Sequence, residues 1–167
     1  MTELPTIPRP SQLWKQLPAD RKLQAADAFW RDEHAGAEQA EVVAAIAQRI
    51  KFRTKSVIGM PVAKKASHLV ALLTVSEIVA ARLLVAYHLH YQRPMMGSFL
   101  EALGIAHEDG LIADEKMEPP TTERLKTAAG SLAPLYPAAD MALYLSTLVW
   151  QDPDTWGGLT EVLADPA

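Results

Sequence analysis

The chain has 167 residues, 49% hydrophobic and 22% charged, with a formal net charge of −4. That is the balance of a soluble globular fold long enough to bury a core without disulfide or metal staples. It contains no cysteine and no asparagine, which excludes disulfides, thiolate metal sites, cysteine nucleophiles and N-glycosylation. The 27 alanines and 21 leucines outnumber 17 valines plus isoleucines, a composition that favours helix over sheet. An all-α protein is therefore predicted, either a multi-helix orthogonal bundle or a short α-helical repeat, with about seven to nine helices.

Residues 1–10 carry prolines at 5, 8 and 10 and no apolar signal core. They read as an extended or disordered arm, with the mature chain starting at Met1 in the cytoplasm and a single all-α domain over 11–167. Ser11 opens a short turn to Leu17, and Pro18 is placed as the first residue of a helix presenting Leu23, Ala26, Phe29 and Trp30 on one face. A second helix runs from Glu38 to Arg53 on the stripe Val42, Val43, Ile46 and Ile50. After a turn from Thr54 to Met60, Pro61 starts a helix reaching Leu73.

Thr74-Val75-Ser76-Glu77 has the form of a capping box, with Leu73 and Ile78 spaced as a hydrophobic staple. The helix it starts, 75–92, is apolar on nearly every side and is placed at the centre of the fold. Glu77, Arg82 and that break interrupt the most apolar stretch, so no membrane partner is expected. A short helix with Met96, Phe99, Leu100 and Leu103 ends at Gly104, which fits a Schellman stop with Ile105 folding back on Leu100. Residues 106–120 read as an acidic loop. Helices from Thr121 to Leu132 and from Ala138 to Trp150 follow, and Asp152-Pro153 caps a final one to Leu163. Segments 61–104 and 120–163 align at a shift of 59, Pro61 on Pro120 and Leu100 on Leu159, and read as tandem units.

Charge is unevenly spread. From Val42 to Ser76 there are six basic residues and no acid; from Pro94 onward three basic residues face twelve acidic ones. Arg53, Lys55, Lys64 and Lys65 surround one turn and one helix start, where backbone N–H groups favour an anion, and Arg82 needs a partner in an apolar helix. These five define a candidate small-anion site. The helix pair over 38–73 also resembles a helix-turn-helix, but its long turn and the sequence pI of about 5.7 disfavour nucleic acid.

Catalytic and phosphate-loop motifs are missing, and no cofactor or metal is expected. Glu77 and His88 are eleven positions apart on one helix face, about 16 Å along its axis, and His88 and His90 point to nearly opposite sides, so neither pair forms a metal site. Trp14, Trp30, Trp150 and Trp156 read as core or interface anchors. The leading expectation is a non-enzymatic protein-interaction module that meets a protein partner or a second copy of itself. The alternatives are an anion or nucleic-acid binder on the basic segment 49–65, and an enzyme assembled from Arg82, His88, His90 and the 107–109 loop.

Overall fold

The computed structural model describes residues 7–113 and 117–164. The protein is all-α: the described residues form eleven helices, eight of seven residues or more, and one two-stranded hairpin. The chain divides into two compact units, one spanning Arg9–Tyr91 and the other joining Gln92–Ala167 to Met1–Pro8. The arm before Ile7 lies outside the described residues. Among the described residues no helix is long and apolar enough to cross a membrane.

In the Arg9–Tyr91 unit, the turn expected from Ser11 to Leu17 is a helix, α1 (Pro10–Gln16), which Pro10 can open because a proline at the first helical position lacks only an N–H with no intrahelical partner. Pro18 lies one residue outside α2 (Ala19–Arg31), its ψ of 154° extended. α3 (Gly36–Ile50) ends before Arg53 because Lys51 turns left-handed at φ 59°, and the N–H of Phe52 then closes on the carbonyl of Ala47 at 3.0 Å. The turn expected over 54–60 holds one further helical turn, α4 (Thr54–Ile58). α5 (Val62–Val70) follows Pro61 and stops short of Leu73.

The capping box is not made. α6 (Glu77–Tyr91) begins after Ser76, whose hydroxyl accepts the N–H of Val79 at 3.2 Å. Glu77, its first residue, turns away from its own helix and accepts both the backbone N–H and the hydroxyl of Ser11 on α1. The hydroxyl and amide of Ser11 hold that carboxyl below its ordinary range. Two donors at another helix start outcompete the single local N–H of Thr74. Leu73 and Ile78 are 91% and 68% exposed, so no staple forms. α6 packs against α1, α2 and α3. Its Val79, Leu83, Leu84 and Tyr87 are buried, each contributing on the order of 1.5–3 kcal/mol relative to exposure.

In the other unit, α7 (Arg93–Ala102) buries Met96, Phe99 and Leu100. Gly104, at φ 72°, donates to Glu101, and Ile105 donates to Leu100 at 2.9 Å, the two bonds of a Schellman stop. The stretch expected as an acidic loop holds a hairpin, β1 (His107–Glu108) against β2 (Leu111–Ile112), with His107 opposite Ile112. Asp109 and Gly110 make its turn at φ 52° and 86°, the positive values a two-residue hairpin turn requires. Residues 114–116 of that stretch lie outside the described residues.

α8 (Thr122–Leu132) is capped by Thr121, whose hydroxyl accepts from Arg124. α9 (Ala138–Gln151) is apolar along its length, and Asp152 caps α10 (Pro153–Trp156) through Thr155. The final helix divides in two, with α11 (Leu159–Ala164) set off by Gly157-Gly158. A side chain on Gly158 would stand 2.9 Å from Leu125 and 3.1 Å from Thr122, so glycine lets this turn lie against α8. Phe99 meets Tyr144 edge-on at 5.8 Å, and burial pushes the Tyr144 phenol upward. The division between the units falls between α6 and α7, inside the 61–104 segment.

Candidate functional site

Within the Arg9–Tyr91 unit, the end of α2, the start of α3, α4 and α5 line an open pocket of about 470 Å³. Trp30, Gly36, Gln39, Ala40, Val43, Thr54, Ile58 and Lys65 line it. Its frame is set by Gln39, whose amide donates to the carbonyls of Phe29 at 2.9 Å and Asp32 at 3.0 Å. Those carbonyls close α2, so a side chain of α3 satisfies acceptors that the helix end leaves open and holds the two helices in register. Phe29 is fully buried and meets Trp30 edge-on at 5.2 Å, which fixes the indole as a wall.

Lys65 supplies the charge. Its Nζ stands 4.9 Å from the ring centre of Trp30 and donates to the carbonyl of Ile58 at 3.4 Å. This is a cation over an aromatic face with one long hydrogen bond. Trp30 is 9% exposed, and its indole Nε1 is buried with no acceptor among the described residues. Most buried donors in folded proteins are paired. The two acids at the start of α3 are occupied elsewhere: Glu38 lies 3.5 Å from Arg82, and Glu41 accepts the hydroxyl of Ser76 at 2.6 Å.

The five residues read as an anion site therefore have different fates. Lys65 lines the pocket. Arg53 precedes α4, Lys55 lies within it and Lys64 is in the first turn of α5; all three are exposed. Arg82 is engaged by Glu38, an acid of the same unit. Trp30, Gln39 and Val43 complete the pocket without a local motif to mark them. The only sequence signal near them was the cation-rich, acid-free run from Val42 to Ser76.

Two of the histidines have structural contacts. Nδ1 of the buried His88 donates to the carbonyl of Leu84 at 2.7 Å, and its ring meets Tyr87 edge-on at 5.3 Å. His90 is exposed. In the other unit His107 accepts the N–H of Gly110 on Nδ1 at 3.0 Å, which leaves Nε2 to donate to Glu101 at 3.2 Å. No group of three or more metal-ligating side chains gathers among the described residues.

α8, α9 and α11 line a second depression of about 320 Å³, walled by Ala129, Gly130, Ala138, Ala142 and Leu145 with Lys126 at its edge. No family model matches the chain, and no curated protein or solved structure matches it either.

Proposed function

We propose that this chain is a non-enzymatic interaction module, and that its Arg9–Tyr91 unit receives an acidic, apolar-anchored segment of a partner protein on the α3–α4–α5 surface. The observation that carries this reading is the pocket: apolar walls, a cation at its edge, and an Ile58 that lines it while 61% exposed. Arg53, just before α4, and Lys55 and Lys64, on α4 and α5, are exposed. An acidic segment would be drawn by these cations, and one apolar side chain on it would gain by leaving water. The cations set the approach and the salt dependence, and the apolar anchor supplies most of the affinity.

A photo-crosslinking side chain placed at Ile58 in source cells tests this reading. An adduct with another protein is expected, weakened by high salt and lost when Lys55 and Lys64 are both changed to Glu. An adduct that survives the charge reversal, or none at Ile58, would overturn it.

A further inference from the structure

Resting on the reading that the α3–α4–α5 surface is the binding face, we propose that its pocket is a monocarboxylate site. Its ligand is an apolar body ending in one carboxylate, which Lys65 pairs while Trp30, Ala40, Val43 and Ile58 take up the apolar part. At about 470 Å³ the cavity falls within the roughly 300–1,000 Å³ of small-ligand sites, which are mostly apolar with a few fixed polar groups.

The charge environment selects the sign. Lys65 is the only ionisable residue in the lining, and among the described residues no carboxylate pairs with it. Its present partners are one carbonyl at 3.4 Å and one ring face, weaker than the charge-assisted bond an incoming carboxylate would offer. Glu38 and Glu41 are committed to Arg82 and Ser76, so they do not compete.

The lining also selects one charge rather than two. A phosphate dianion needs several donors at once, whereas Gln39 has committed its amide to the end of α2 and leaves one cation and the Thr54 hydroxyl, a set suited to a single carboxylate. Gly36 adds space, since a side chain built there would meet nothing within 4 Å.

Titration calorimetry on the intact chain, with the shift in melting temperature as a second readout, uses octanoate and 4-phenylbutyrate against octanol, octylamine and inorganic phosphate. The two carboxylates are expected to bind, and the alcohol, amine and phosphate to bind at least tenfold more weakly. Lys65→Gln should weaken octanoate about tenfold, and Ala40→Trp, which fills the pocket from an exposed helix position, should abolish binding. Circular dichroism checks that both variants fold, and the Lys65→Gln result stands alone if Ala40→Trp does not. A tetrapeptide ending in Leu, tested as free acid and as amide, separates the two sources of this chemistry: binding of the acid form only identifies a chain terminus as a ligand, and no peptide binding leaves a free small acid.

Octanol binding as well as octanoate, phosphate stabilising as much, or octanoate binding that survives Ala40→Trp would overturn the proposal. A charge-dependent adduct at Ile58 with no carboxylate response would sink the monocarboxylate site and leave the interaction module standing. Pocket-dependent carboxylate binding with no adduct would do the reverse.

Discussion

Glu77 accepts the backbone N–H of Ser11 at 3.1 Å across 66 residues of sequence, so the first residue of α6 completes the first turn of α1. The donors of Ser11 depress the folded pKa of Glu77 from its ordinary 4.5. A depressed carboxyl contributes stability above its unfolded pKa and loses it as pH falls through the folded one. Glu77→Gln should therefore melt below the unaltered protein at neutral pH, and the gap should close on acidification. Melting temperatures between about pH 7 and pH 2 measure this, and a constant gap contradicts it. The carboxylate is exposed, so the effect is modest.

Two neighbouring aromatics should differ sharply in what their substitution costs. Phe29 is fully buried, and Phe29→Ala is expected to cost about 3–5 kcal/mol. Trp30→Phe loses some burial but also removes a buried Nε1–H that has no acceptor, so its net cost should stay within about 1 kcal/mol. Urea unfolding of both variants decides the point, and an equally large loss from Trp30→Phe would mean the indole N–H has a partner.

The Asp109-Gly110 turn separates conformation from packing. Gly110 sits at φ 86°, and a side chain there would lie 3.0 Å from the Cβ of Met96 and 3.1 Å from the carbonyl of Arg93. Gly110→Ala should cost more than about 2 kcal/mol, left-handed strain and overpacking adding together. Asp109→Gly, at φ 52°, keeps a residue that accepts the turn and should change stability by under about 1 kcal/mol. Chemical denaturation of the two variants reads both numbers.

Two other glycines differ for a reason visible only in space. Gly130 lies inside α8, and a methyl added there would meet nothing within 4 Å, so Gly130→Ala should stabilise by about 0.5–1 kcal/mol through helix propensity. A methyl on Gly157 would stand 2.8 Å from the carbonyl of Pro153, and Gly157→Ala should lower the melting temperature. Equal effects at the two positions would contradict this placement.

Much of the local structure was legible because it is decided within a few residues. Alanine and leucine excess set the all-α class, and Gly104 with Ile105 specified its helix stop through i to i−3 and i−5 bonds that no distant residue contests. Asp152 announced its cap for the same reason. Where a local signal had a distant competitor, the sequence misled. Thr74 and Glu77 match a capping box in spacing, yet Ser11 offers two donors to the same carboxylate and takes it. The hairpin at His107 was hidden because two-residue strands carry no periodicity; the Asp-Gly pair was its only mark.

The candidate site divides along the same line. The sequence by itself determined that this protein is helical and that its cations crowd into 42–76, since composition and charge need no folding to be counted. Only the tertiary structure decided which cation meets the pocket. Arg82 is taken by Glu38 and Lys64 is exposed, while Lys65 is brought over an indole 35 positions earlier in the chain by packing of α5 on α2. That pairing depends on how two helices pack, and helix packing is set by buried side chains over the whole unit rather than by any motif around either residue.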